Sequence, residues 1–167
     1  MKDVDFSRLI LIIVAVTVVG VDQLTKTWIS THFDEYVTVE LISGLSPIFS
    51  ITPIRNTGGI FGLFPQLGHL LKYLSLLVVI AVLLYQRSIP QHQYWMHLSL
   101  GFVCGGALSN VVDRFLHGYV LDFIDVNFWP LRYLPLFNLA DSAIMVGAGV
   151  MLMDAVLSKS GTVVQNA

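Results

Sequence analysis

The chain has 167 residues, 55% hydrophobic and 12% charged, with a formal net charge of −2. A soluble domain carries roughly 25% charged residues, so this balance points to a membrane protein. The slightly acidic charge comes with no basic patch, which argues against a nucleic-acid partner.

Cys104 is the single cysteine, so an intrachain disulfide is excluded. No Cys/His cluster has metal-ligand spacing, and His92 and His97 are isolated, so no metal or cofactor is expected.

Lys2 and Arg8 precede an apolar run over 9–21. No small-x-small cleavage site comes after it, and the apolar character resumes at Trp28, which reads as a retained first span rather than a removed leader. Four apolar stretches, about 9–28, 69–85, 96–112 and 139–157, are each near the ~20 residues that cross a hydrocarbon core. Trp28, Tyr73, Tyr85, Trp95 and Trp129 mark their ends as an interfacial aromatic belt does. Gly101, Gly105 and Ser109, and likewise Ala143 and Gly147, recur at four-residue spacing, which predicts that spans three and four pack as neighbours.

The long connection over 32–68 reads as a small β element. Residues 35–41 alternate and are rich in β-branched and aromatic types, so a strand is expected there. Pro47, Pro53 and Pro65 punctuate the remainder of the connection, and Asn56-Thr57-Gly58-Gly59 reads as a tight turn needing positive φ. A short helix over 61–71 would lie on the membrane. The connection over 86–95 is short and polar, and 158–167 reads as a disordered tail. The fold class is thus a mainly α membrane protein, one domain over 1–167, with four transmembrane helices and a β element between the first two.

An even span count puts both termini on one side, with Lys2, Arg8, Arg87 and Lys159. Lys26, Arg55, Lys72, Arg114 and Arg132 fall on the other side, so the positive-inside rule is nearly silent. If the second group is engaged in a site or in ion pairs, the first decides and the termini are cytoplasmic.

Span count also gathers the polar residues. Asp22, Lys26, Arg55, Asn56, Asn110, Asp113, Arg114, Asp122, Asp125, Asn138 and Asp141 all reach one membrane face. Ionisable groups near a span are costly, and their default reading is functional. Each also has a structural reading. Asp22 and Lys26 are an i, i+4 pair. Asn110, Asp113 and Arg114 share one helical face and can satisfy one another. Asn138 and Asp141 have capping-box spacing. Asp122 has the weakest structural reading, being an acid with apolar neighbours on both sides. Two carboxylates at one place suggest acid and base working on one water.

At these residues the chain resembles the lipoprotein signal peptidase (signal peptidase II) family. The matching segments are 22–26, 55–62, 105–110 with Asp113-Arg114, 120–123 and 137–142, in the family's order. The resemblance implies an aspartic endopeptidase of the bacterial cytoplasmic (inner) membrane, with its site near the extracytoplasmic face. Its substrates are prolipoproteins, cut on the amino side of a diacylglyceryl-modified cysteine. It implies Asp122 and Asp141 as the catalytic pair. Asp22, Lys26, Asn56, Asn110, Arg114 and Asn138 match positions that support the site or bind substrate, and Gly58 and Asp113 lie in the same matched segments. Membrane lipids and cyclic peptide inhibitors of the globomycin type are the other implied partners, and the chain is expected to be a monomer. Ser109 departs from the glycine usual in the family. Without the family, a small transporter or proton-conducting protein and a non-catalytic scaffold are the rival readings.

Overall fold

The computed structural model describes residues 6–40, 48–57 and 68–164. Four long helices, α1 (Phe6–His32), α2 (Gly68–Tyr85), α3 (Tyr94–Leu116) and α4 (Leu139–Val164), are joined by two strands, β1 (Phe49–Asn56) and β2 (Val120–Val126). All four helices are long and apolar enough to cross a membrane. Helix is the form that satisfies every backbone polar group within one segment, which hydrocarbon demands.

α3 is the central helix. Some 61% of its most apolar window is buried, against 22%, 11% and 17% for α1, α2 and α4. α1, α2 and α4 pack around it and turn side chains such as Ile12, Val16, Leu77, Val146 and Leu152 outward to lipid. Glycine permits this close packing. A Cβ on Gly105 would lie 2.8 Å from the Ala15 carbonyl oxygen of α1, and one on Gly147 would lie 2.6 Å from the Ser99 carbonyl oxygen of α3. Spans three and four are therefore neighbours, as their small residues predicted. The Gly101–Gly105–Ser109 row, however, faces α1, and it is Gly106 that lies against Ala140 of α4.

β1 and β2 pair antiparallel, with Ile51 opposite Ile124 and Ile54 opposite Asp122. One extra residue therefore sits in β1 between Ile51 and Ile54, a bulge that accommodates Pro53. Without it, the face shared with Asp122 would take Arg55; with it, that face takes Ile54 and Asn56. Ile51, Leu121, Phe123 and Ile124 join Ile29 in an apolar cluster that seats the sheet on the end of α1. Gly118, at φ 80°, turns the chain from α3 into β2.

The strand expected over 35–41 is not formed among its described residues. That segment holds one bridge, Val39 to Ile51, and Tyr36 at φ 63° breaks the extended run. β1 lies instead at Phe49–Asn56, and β2 falls between the third and fourth spans. Of the helix expected over 61–71, residues 61–67 lie outside the described residues and 68–71 belong to α2; Gly58 and Gly59 of the expected turn also lie outside. α4 continues to Val164, so most of the expected disordered tail is helical.

Candidate active site

Asp122 and Asp141 face one cavity of about 500 Å³, lined also by Asn56, Asn110 and Arg114. Asp122 comes from the middle of β2, two residues past Val120, which lines the same cavity. Asp141 comes from the first turn of α4. The remaining wall is apolar: Leu71, Leu74 and Val78 of α2, Ile144 and Met145 of α4, and Leu134, Pro135 and Leu136 of the loop before α4.

Asn138 ties the two acids together. Its backbone N–H donates to Asp141 Oδ2 at 3.3 Å, and its Oδ1 accepts from the Asp141 backbone N–H at 2.9 Å. That is the reciprocal capping box the spacing predicted, and it fixes Asp141 on the first turn of its helix. The Asn138 side-chain amide meanwhile donates to Asp122 Oδ1 at 2.7 Å. Asn56 donates to Asp122 Oδ2, also at 2.7 Å, and Asn110 donates to Asp141 Oδ1 at 2.8 Å. Each acid thus has its own amide and shares a third.

Asp122 is 2% exposed. Burial, and then the Asp141 charge, push its carboxyl up to about 7, against the pull of the Asn56 and Asn138 amides and the Lys26 charge. A carboxyl so placed can exchange a proton at neutral pH.

Behind the acids lies a buried polar layer. Lys26 Nζ pairs with Asp22 at 2.6 Å and Asp113 at 2.7 Å, and it donates to Asn110 Oδ1 at 3.2 Å. Asp22 Oδ1 accepts from the Ala140 backbone N–H at 2.9 Å, so α1 holds the start of α4. Asp22 Oδ2 accepts from Ser109 Oγ at 2.7 Å. Gln23 Nε2 donates to Asp113 Oδ1 at 2.6 Å and to Ser109 Oγ at 3.0 Å. The hydroxyl that departs from the family pattern is therefore paired as donor and acceptor. Asp22, Lys26 and Asp113 satisfy one another and position Asn110 and α4, without lining the cavity of the two acids.

The sheet and the end of α3 separate this cavity from a second one of about 310 Å³. Asn56, Val120 and Asp122 of the sheet, with Asn110 and Arg114 of α3, face the first. Pro53, Arg55 and Leu121, with Asp113 and His117, face the second. Arg55, grouped with the cluster by topology, thus turns away from the acids; it pairs with Glu35 and lies 4.9 Å from the Tyr119 ring centroid. Asp125 is on the opposite face of β2 from Asp122 and accepts from Ser50 Oγ at 3.3 Å. Gly58 lies outside the described residues. Among the described residues, no group of three or more His, Cys, Asp or Glu side chains is gathered to hold a metal.

Sequence reading missed Gln23 and the apolar wall. Gln23 sits one residue after Asp22 in a matched segment, and that adjacency was the available signal. The wall residues look like any lipid-facing residue of a span.

The family model described as signal peptidase (SPase) II matches residues 14–157. A lipoprotein signal peptidase of Shewanella pealeana is 39% identical over 146 residues, covering 85% of this chain and 83% of the relative. One of Shewanella sediminis is 35% identical over 157 residues, covering 92% and 86%. Two solved bacterial membrane enzyme structures, obtained by the in meso method, share the fold. The first has a TM-score of 0.82 at 30% identity, covering 90% of each chain. The second has a TM-score of 0.77 at 30% identity, covering 87% of this chain and 91% of that one. With these relatives, four spanning helices and two acids on one cavity, the chain belongs to the signal peptidase II family and is a multi-pass bacterial membrane peptidase.

Proposed function

We propose that the chain removes signal peptides from prolipoproteins, hydrolysing the bond on the amino side of a diacylglyceryl-modified cysteine, with Asp122 and Asp141 as the catalytic pair. The observation that carries this reading is one cavity with two acids at its polar end and an apolar wall from two spanning helices. A lipid-modified peptide needs both: acids for its amide and hydrocarbon for its acyl chains.

We assign the pair's resting proton to Asp122, because Asp141 lies in the first turn of α4, where the helix dipole favours a carboxylate, and its charge favours a neutral Asp122. Its O–H bonds the scissile carbonyl and passes its proton to that oxygen as the tetrahedral intermediate forms. Asp141, ionised and held by Asn110 and the Asn138 N–H, takes a proton from water as the water oxygen bonds to the carbonyl carbon. The C–N bond then breaks as Asp141 returns that proton to the leaving nitrogen, and Asp122 regains its own from the collapsing intermediate. Asn56 and Asn138 keep Asp122 oriented throughout. Both α2 and α4 line the cavity, and substrate enters between them from the lipid.

The cations on the site's side support an orientation. Lys26 and Arg55 are ion-paired, Lys72 lies 5.0 Å from the Phe115 ring centroid, and Arg114 lines the cavity. With these four engaged, we assign the termini to the cytoplasm and the acids to the extracytoplasmic side. The test is to incubate the purified chain in detergent with a diacylglyceryl-cysteine precursor and with its unlipidated twin. Mass analysis should find one cut, before the modified cysteine, in the lipidated peptide. A cut elsewhere, or none, contradicts the reading.

A further inference from the structure

The loop between β2 and α4 is the most apolar connection among the described residues. From Phe128 to Phe137 it reads Phe-Trp-Pro-Leu-Arg-Tyr-Leu-Pro-Leu-Phe, with one charge in ten residues. Its ends are fixed. The Asn127 N–H donates to the Ile48 carbonyl at 2.9 Å, and the Phe137 carbonyl accepts from the Phe123 and Ile124 N–H groups at 3.1 and 2.8 Å. Between these points the chain makes a single helical turn, Leu131–Tyr133.

The loop has two sides. Leu134, Pro135 and Leu136 line the catalytic cavity. Phe128, Trp129 and Tyr133 point out, Trp129 being 74% exposed. In water such an apolar patch would mark an interaction surface. Depth identifies the partner. The loop shares its cavity with Leu74 and Met145, which lie four and six residues inside the spans that begin at Leu70 and Leu139. At 1.5 Å per residue those positions are about 6 and 9 Å below the span ends. The loop's inner side therefore adjoins exposed apolar side chains of α2 and α4 that lie at lipid depth. Trp and Tyr are the side chains that favour the headgroup boundary, apolar in body and polar at one atom.

We propose that loop 128–136 is a membrane-inserted lip of the catalytic cavity. Its outer side rests in the extracytoplasmic headgroup boundary, and its inner side walls the cavity. The lipid then sets the height of the cavity's mouth, so that a substrate anchored by acyl chains meets it at matching depth. This functional consequence rests on the peptidase reading; the insertion does not.

The chain has three tryptophans, so Trp28→Phe with Trp95→Phe leaves Trp129 as the sole reporter. In liposomes, its fluorescence should be quenched by lipids brominated shallow in the acyl chain, less by lipids brominated near the chain end, and little by aqueous iodide. Strong iodide quenching with no lipid quenching overturns the insertion, whether or not the protein cleaves anything. The consequence is read with Trp129→Ser in the otherwise unchanged chain. KM for the lipidated precursor should rise roughly three- to tenfold with kcat nearly constant, as when binding common to ground and transition state is lost. A fall in kcat at constant KM means the loop acts on the acids instead, and overturns the lip.

Discussion

The Asn138 side-chain amide donates to Asp122 Oδ1 at 2.7 Å, while the Asn138 carbonyl-type Oδ1 caps Asp141 at 2.9 Å. One buried side chain thus serves as helix cap and as a bridge between two acids from different elements. Serine keeps the cap but is too short to bridge. Asn138→Ser should lower the thermal midpoint in detergent by the equivalent of about 1–3 kcal/mol, since the cap survives but a buried acceptor is left unpaired. At a temperature where the variant is fully folded, turnover should still fall by roughly a hundredfold, the scale of a lost preorganised contact. Parent-like turnover by the folded variant would mean that Asn138 is only a cap.

Asp122 makes stability depend on pH with a definite sign. Its folded carboxyl titrates at about 7, well above the ordinary value of 3.8. Between these values the folded state holds a proton that the unfolded state has released. Stability conferred on the neutral form is therefore full below about pH 4 and is lost as pH rises toward 7, at up to about 1.4 kcal/mol per pH unit. Asp122→Asn should flatten this slope in detergent unfolding series. An unchanged slope would place the titration elsewhere.

The same proton shapes activity. With Asp122 as the acid, kcat/KM should fall as pH rises through the dyad's upper apparent pKa, near 7. Asn56 donates to the Asp122 carboxylate and pulls that value down. Asn56→Ala should therefore move the descending limb upward by roughly one unit or less. A downward move would reverse the assignment of the resting proton.

Lys26 is 5% exposed and bonded to two buried carboxylates. Lys26→Met leaves both acids without a counter-charge, and breaking such a pair costs about 3–5 kcal/mol. Restoring charge balance with Asp22→Asn and Asp113→Asn should return much of that stability. A stable single variant would show that the layer contributes little.

The spans were legible because apolar runs of about twenty residues have few other uses, and span count alone brought the polar residues to one face. The sheet was not legible. β1 carries Pro53, which argues against a strand unless a bulge absorbs it. β2 is buried along Val120 to Ile124, so the alternation that betrays a half-exposed strand is missing. Asp122 stood out for its apolar neighbours, and the structure supplies the reason: those neighbours fill the core beneath the sheet. Asp141 looked like a capping residue because it is one; capping and cavity-facing roles fall on a single side chain. Arg55 could not be told from Asn56 beside it, because the bulge that decides which of them shares the Asp122 face lies earlier in the strand, between Ile51 and Ile54.

The most direct measurement is the turnover of a purified, lipidated precursor by Asp122→Asn, Asp141→Asn and Asp125→Asn, each at matched folding by thermal midpoint. Asp125 lies on the far face of β2, against Ser50, and serves as the control. Loss of an acid or base that acts in the transition state costs at least about a hundredfold. Both dyad variants should fall by that much or more, while Asp125→Asn stays within a few-fold of the parent. Near-normal cleavage by either dyad variant, with the control unaffected, would contradict the two-aspartate mechanism.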